Sequence, residues 1–296
     1  MNALDALSRL APPQGNIAML VGLIGRGIQA SRTPYMHEAE GARLGLPYIY
    51  RLIDLDCLPP AAAHLPTLLD AAEWLGFSGL NITHPYKQQV LPQLHRLAPE
   101  AAAIGAVNTV VFRHGERIGY NTDCWGFAES FRQGLPQARK RQVLLLGAGG
   151  AGLAVARALL DLGVERLLVH DTDAARVAQL LAQLGDSRLA AAGDAQTALA
   201  EADGLVNATP VGMASYPGSP IPTEWLRPEL WVADIIYFPA ETALLQAARA
   251  CGCITLPGAG MAIFQAVKAF ELFSGIAPDP AAMARHFLAA RPNLSD

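Results

Sequence analysis

Between the apolar run Gln142-Val-Leu-Leu-Leu146 and an Ala/Leu-rich stretch reaching about Leu162 lies Gly147-Ala148-Gly149-Gly150-Ala151-Gly152. No other segment constrains the fold as tightly. Glycines at 147, 149 and 152 match a strand–turn–helix unit. The first permits a tight turn, the second lets a ligand approach the backbone, and the third lets helix meet strand. A continuous apolar strand suits the interior of a parallel sheet. The helix start offers free N–H groups and a positive dipole end, which suit phosphates. A tight structural turn would need similar glycines. The match extends further, however, to a second apolar strand, Arg166–His170, that ends at Asp171. The stretch therefore predicts a dinucleotide site. The Asp171 carboxylate can accept hydrogen bonds from an adenosine ribose and repels a 2′-phosphate, and the next arginine is Arg176. This favours NAD over NADP. The alternative is that Asp171 or Asp173 merely caps the helix that follows, a role that need not exclude ribose binding.

Around this motif the chain alternates strands and helices, an α/β pattern. In the first half, strands are expected at Ala18–Ile24, Tyr48–Ile53 and Gly79–Ile82. Helices are expected at Pro34–Leu44, Thr67–Leu75 and from Lys87 to His95. Val107–Phe112 and Arg117–Tyr120 read as a hairpin around His114-Gly115. Gln133–Gln137 reads as a boundary loop. Beyond it, strands at Gly204–Asn207 and Trp231–Ile236 and helices at Ala174–Leu184 and Ala243–Ala250 predict a doubly wound sheet. Met261–Ser274 and Pro280–Ala290 read as closing helices, and Leu4, Leu7 and Leu10 as a short amphipathic helix ended by Pro12-Pro13.

Composition removes several function classes. With 52% hydrophobic and 16% charged residues the chain is core-rich, yet no apolar run is long enough to span a bilayer. No secretory signal pattern is apparent, so a cytoplasmic protein with no membrane partner is expected. A net charge of −4 argues against nucleic-acid binding. The one basic cluster, Arg139-Lys-Arg141, reads as a solvated strand entry. Cys57, Cys124, Cys251 and Cys253 are too scattered for a disulfide framework. Cys251-Gly-Cys253 lacks a second pair to complete a metal site, so reduced cysteines and no metal are expected.

The chemistry-bearing residues outside the glycine motif sit in two polar segments, Gly79-Leu-Asn-Ile-Thr-His-Pro-Tyr-Lys87 and Asn121-Thr-Asp123. Lys87 can give or take a proton if its environment favours the amine, and a touching Asp123 would make one coupled pair. On spacing alone a surface lysine is the commoner meaning. Ser31-Arg-Thr-Pro34 can bind a carboxylate through hydroxyls and helix N–H groups, or Thr33 can simply cap a helix with Pro34 in its first turn.

These segments together resemble the shikimate/quinate dehydrogenase family over nearly the whole chain. The matching stretches are Ser31-x-Thr33-Pro34 with His37, Asn81-Ile-Thr83-His-Pro85-Tyr-Lys87, Gly105-Ala-Val-Asn108-Thr109 and Gly119-Tyr-Asn-Thr-Asp123. They continue with Gly147–Ala151, Asn207-Ala-Thr209-Pro210-Val-Gly-Met213, Tyr237-Phe-Pro239 and Gly260-Met261 through Gln265. The resemblance implies that Lys87 and Asp123 are the catalytic pair. It implies that Ser31 and Thr33 hold the substrate carboxylate, and that Asn81, Thr83, Asn108, Asp123 and Gln265 bind ring hydroxyls. Tyr237 would lie near the carboxylate or nicotinamide, and Thr209 and Met213 would line the nicotinamide side.

The family architecture implies an N-terminal α/β substrate domain over 1–123, completed by C-terminal helices within 262–296. A Rossmann-type nucleotide domain would occupy 124–261. The implied chemistry is reversible, NAD-linked oxidation of shikimate or quinate at C3, by a monomer or homodimer. His170-Asp-Thr-Asp173 replaces the Asn-Arg-Thr type segment of NADP-linked relatives, Ala30 stands at the start of the Ser-x-Thr-Pro segment, and His84 replaces a small apolar residue. These departures resemble the NAD-preferring quinate/shikimate and aminoshikimate-type subgroups. An aminoshikimate-type dehydrogenase and a non-catalytic NAD/shikimate-binding regulator are the alternatives.

Overall fold

The computed structural model describes residues 18–60 and 62–289. The N-terminal helix expected from Leu4, Leu7 and Leu10 lies outside the described residues, as does Ala290. The chain divides into two units, one formed by the segments up to Thr122 and from Ala266 onward, the other by Asp123–Gln265. Asp123 and residues 262–265 thus group with the second unit.

The first unit carries β1 (Met19–Gly25), α1 (Thr33–Arg43), β2 (Tyr48–Asp54), α2 (Leu65–Trp74), β3 (Gly79–Ile82), β4 (Arg96–Leu97), α3 (Pro99–Ile104), β5 (Thr109–Arg113) and β6 (Glu116–Tyr120). Its six-stranded sheet has the order β2-β1-β3-β5-β6-β4. β1 runs parallel to both β2 and β3, whereas β3–β5 and β5–β6 are antiparallel. The hairpin turns at His114-Gly115, both with positive φ (54° and 75°), as a two-residue turn twisted to match its strands requires. Ile24, Leu55, Leu69, Leu80, Ile82, Val90, Val107 and Val110 form one buried cluster on this sheet.

Two expectations fail in and beside this unit. No helix runs from Lys87 to His95. Turns occupy that stretch, followed by a single 3-10 turn at Leu91–Gln93, because Pro92 removes an N–H and collides with the preceding turn. Gln133–Gln137 is not wholly loop either, since α4 (Thr122–Gly134) continues through Gln133 and Gly134.

The second unit follows α4 with β7 (Gln142–Leu146), α5 (Gly150–Asp161), β8 (Arg166–His170), α6 (Ala174–Leu184), β9 (Leu189–Ala191), α7 (Ala195–Ala200), β10 (Gly204–Asn207), β11 (Trp231–Asp234), α8 (Ala243–Cys251) and β12 (Ile254–Leu256). Its six strands are all parallel in the order β12-β11-β10-β7-β8-β9. The order reverses between β7 and β10, the switch point at which doubly wound sheets bind ligands. Leu144, Leu146, Leu205, Val232 and Leu244 lie in one of its buried clusters. β11 ends at Asp234, two residues short of the expected Ile236, because Asp234 turns its carboxylate onto the Ile236 N–H.

Two helices close the chain. α9 (Ala259–Ser274) begins in the second unit and ends in the first, and α10 (Pro280–Ala289) belongs to the first. At the start of α9, Gly126 of α4 faces Met261 O and Gln265 N so closely that a Cβ would sit 2.8 and 2.7 Å from them. No helix of the described residues is long and apolar enough to cross a membrane.

Candidate active site

The glycine turn is built as its sequence requires. Gly147 has a φ of 96°, and a Cβ there would meet Ala208 O at 2.7 Å. A Cβ on Gly152 would lie 2.0 Å from Gly147 O, so helix and strand close on each other only through glycine. Gly149 and Gly150, by contrast, face open space. Gly149 is the N-cap of α5 and brings no capping side chain, which leaves the first-turn N–H groups to a ligand. Two closed glycines beside two open ones, at a helix start on the switch point, fit a dinucleotide pyrophosphate.

Asp171 stands at the end of β8 and binds the same turn. Its Oδ2 accepts the Ala148 N–H at 2.7 Å and its Oδ1 accepts the Asp173 N–H at 2.9 Å. Burial opposes the charge, but these two N–H donors outweigh it and the carboxyl lies below its ordinary range. The capping role falls to Asp173, whose side chain accepts Ala175 N–H at the start of α6 and pairs with Arg176 at 3.5 Å. Asp171 is thus a carboxylate tied to the glycine turn and not a helix cap. Thr209 lies in the turn after β10, with both its N–H and hydroxyl on Asn207 Oδ1. Met213 and Tyr237 are exposed at 41% and 50%, and Gln265 is half-buried with its amide on Ala262 O. Asp123 is buried in the first turn of α4.

Sequence reasoning missed what organises this unit's loops. Asp234 accepts Asn207 Nδ2 at 3.1 Å, Ile236 N–H at 3.0 Å and the Thr242 hydroxyl at 2.8 Å. It thereby ties the turn after β10 to the loop carrying Tyr237. Burial pushes its carboxyl upward, and the three donors do not offset it.

In the first unit the loops after β1 and β3 adjoin. Thr83 N–H reaches Ile24 O, and Arg26 N–H reaches His84 O. The Arg26 side chain adds a hydrogen bond to the Tyr86 hydroxyl at 3.0 Å. Thr83 and Lys87 are half-buried on the β3 loop. Ser31 ends the β1 loop and Thr33 opens α1, but Thr33 is not the cap of that helix. Arg32 occupies that position, Thr33 is already helical, and Ser31 Oγ accepts its N–H at 3.3 Å. A second residue without a motif, Asp54, holds this loop. Its oxygens accept the N–H groups of Gly27, Ile28 and Asp56 and the amide of Gln29, all between 3.0 and 3.1 Å. Burial works against its charge, yet these donors hold the carboxyl below its ordinary range.

Asn81 and Asn108 are buried side by side. Asn81 gives both amide hydrogens to neighbours, Asn108 O and Thr109 Oγ1, and its oxygen accepts the Tyr50 hydroxyl at 2.7 Å. One lone pair on Oδ1 is what it retains for a ligand. His37 is fully buried among Tyr48, Tyr50, Phe270 and Phe273, and desolvation lowers it to about 3, so it is neutral. None of the four cysteines is in a disulfide. Among the described residues no group of three or more His, Cys, Asp or Glu is arranged to hold a metal. In the Arg139-Lys-Arg141 stretch, Lys140 Nζ donates to Leu162 O and Arg141 N–H to Asp203, the contacts of a strand entry.

Comparison with known proteins converges on one family. Residues 23–110 match the shikimate dehydrogenase substrate binding domain, and residues 129–213 match the shikimate / quinate 5-dehydrogenase domain. A shikimate dehydrogenase (NADP(+)) of Streptomyces avermitilis is 55% identical, over 88% of this chain and 91% of that protein. A quinate/shikimate dehydrogenase (NAD(+)) of Corynebacterium glutamicum is 50% identical, over 92% of this chain and 99% of that one. The solved structure of quinate dehydrogenase from Corynebacterium glutamicum in complex with NAD superimposes with a TM-score of 0.89 at 47% identity, covering 92% of this chain and 99% of that chain. With its glycine turn, its parallel sheet and its Asn-x-Thr-x-Pro-x-Lys loop all in place, the chain belongs to the shikimate/quinate dehydrogenase family.

Proposed function

We propose that the protein reversibly oxidises shikimate, quinate or both at the C3 hydroxyl, with NAD preferred over NADP. Lys87 Nζ takes the hydroxyl proton during oxidation and returns it during reduction. Asp123 accepts a hydrogen bond from the reacting hydroxyl. Ser31 and Thr33 bind the carboxylate, while Thr83, Asn108 and Gln265 bind ring hydroxyls, with Asn81 limited to accepting. Bound NAD supplies the hydride acceptor. Gly147, Ala148, Gly149, Gly150, Ala151 and Gly152 hold its pyrophosphate, and Thr209, Met213 and Tyr237 flank its nicotinamide.

The observation that carries the cofactor preference is Asp171. Its carboxylate is ionised by two backbone N–H groups and fixed against Ala148, where a ribose 2′-hydroxyl finds an acceptor and a 2′-phosphate finds a like charge. Relatives at similar identity carry either cofactor name, so assay decides the point.

The test is initial-rate oxidation at mildly alkaline pH, with shikimate and quinate each paired with NAD and NADP. NAD-linked turnover of either acid is expected. Faster NADP turnover would overturn the reading of Asp171. Lys87→Ala is expected to lose at least about a thousandfold in kcat while retaining NAD affinity, because it removes the proton acceptor alone. Unchanged turnover would remove Lys87 from the mechanism.

A further inference from the structure

The first unit contains a chain of hydrogen bonds leading from Tyr50 to Thr122, closed by a return bond from the Thr122 hydroxyl to Asn108 Oδ1 at 3.2 Å. Tyr50 O–H donates to Asn81 Oδ1 at 2.7 Å, Asn81 Nδ2 to Thr109 Oγ1 at 2.9 Å, Thr109 O–H to Asn108 Oδ1 at 3.1 Å, and Asn108 Nδ2 to Thr122 Oγ1 at 3.0 Å. Every member is at most 5% exposed, so water does not compete for these bonds. The direction is dictated at two points. Asn81 Nδ2 also meets Asn108 O, at 3.3 Å, so turning the amide over would set two carbonyl oxygens against each other. Thr109 Oγ1 accepts from Asn81 and gives its own hydrogen to Asn108 Oδ1 at 3.1 Å, the nearer of two acceptors, Thr122 Oγ1 lying at 3.5 Å.

The outcome is felt at two residues the proposed reaction uses. Asn108 Oδ1, supplied by Thr109, also accepts the Thr122 N–H at 2.7 Å and so fixes the residue immediately before Asp123. Asn108 Nδ2 is left with its second hydrogen as a donor. Reversing the Asn108 amide would place an NH₂ against the Thr122 N–H.

We infer that Tyr50, Thr109 and Thr122 are positioning residues, a buried donor relay that sets Asn108 as a hydrogen-bond donor to the substrate and holds the backbone entering Asp123. The inference rests on the shikimate/quinate reading above. Tyr50 suits the head of the relay. Burial raises its phenol well above the ordinary range, so it always carries its proton. Its ring is braced edge-on by His37 with centroids 4.9 Å apart, and its N–H is held by Glu38 Oε1.

The test compares Tyr50→Phe, Thr109→Val and Thr109→Ser with the wild-type protein. Shikimate and quinate kinetics, NAD affinity by fluorescence titration and thermal midpoint are measured for each. Tyr50→Phe and Thr109→Val remove hydroxyls with little change of shape, and each is expected to lower kcat about tenfold with NAD affinity unchanged. Thr109→Ser keeps the hydroxyl and is expected to stay within about threefold of wild type. A relay that merely supported the fold would lower the thermal midpoint and leave kcat per folded molecule intact. That result overturns the inference, as does a Thr109→Ser loss equal to that of Thr109→Val. If the wild-type protein oxidises neither acid, the functional reading falls and the relay's role with it. Wild-type turnover with unaffected variants defeats the relay alone.

Discussion

Each unit keeps one buried aspartate at the carboxyl end of a strand, and the two are held in opposite ways. Asp54, at the end of β2, takes four N–H donors, three of them backbone, and lies below its ordinary range. Asp234, at the end of β11, takes one backbone N–H, one amide and one hydroxyl, and burial lifts it. Both lace together loops that follow strands, where open α/β sheets place their ligands. The difference lies in what each loop can adapt to. Backbone N–H groups only donate, so the Gly27–Gln29 loop needs an anion. A hydroxyl can turn round, so the Asn207–Thr242 cluster needs only an acceptor of the right shape.

The largest expected effect tests whether the nucleotide unit depends on backbone closeness more than on either aspartate. Gly152→Ala drives a Cβ to 2.0 Å from Gly147 O and should cost about 3 kcal/mol or more, read as a lowered urea midpoint. Gly149→Ala meets no protein atom within 4 Å. It should fold normally and weaken NAD binding roughly tenfold, because the methyl group occupies the pyrophosphate's approach. Equal stability of the two variants would refute the close approach of helix and strand.

The next effect is smaller and belongs to the first unit. Both oxygens of Asp54 face N–H donors, so in Asp54→Asn the new NH₂ must oppose one of them whichever way it turns. A loss of about 2 kcal/mol in unfolding free energy is expected. Because the loop carries Ser31 and leads into Thr33, KM for the carboxylate substrate should rise with kcat and NAD affinity preserved. A variant with wild-type KM would separate the Asp54 loop from substrate binding.

These contrasts also show what the sequence could disclose. The glycine turn, Asp171 and the β5–β6 hairpin were legible because their geometry is local. A tight helix entry or a positive φ selects residues within a few positions. The Asp54 cluster was not legible, since its donors Gly27 and Ile28 lie 27 and 26 residues upstream and backbone N–H groups leave no signature. The same holds for Tyr50, whose partner Asn81 is 31 residues away on another strand. The helix expected from Lys87 fails because Pro92, in its interior, cannot continue it. At the start of α4, Thr122 and Asp123 mark a helix entry in the same three residues that carry the candidate chemistry, so one signal masks the other. β9, Leu189-Ala-Ala191, has almost no strand propensity of its own and exists through its pairing with β8.

The smallest effect makes the comparison sharpest, because its pH dependence runs opposite to that of Asp54. A carboxyl depressed in the folded state, such as Asp54, contributes stability above its unfolded pKa and loses it as pH falls through the folded value. The advantage of wild type over Asp54→Asn should therefore shrink on acidification. A carboxyl raised in the folded state, such as Asp234, behaves oppositely. The folded protein holds the proton more tightly, so the contribution is complete below the unfolded pKa and is lost as pH rises through the folded value. Asn at 234 keeps an oxygen for Asn207 and Ile236 and offers its NH₂ to the Thr242 hydroxyl, which can turn to accept. Asp234→Asn should thus cost no more than about 1 kcal/mol in mildly acidic buffer, and less as pH rises toward neutrality. Urea unfolding of wild type and both variants from neutral pH down through the ordinary carboxylate range measures the two slopes. Opposite signs would show that the two aspartates differ in charge state as well as in partners. Parallel slopes would mean that the hydroxyl and amide around Asp234 stabilise its anion as well as the backbone around Asp54 does.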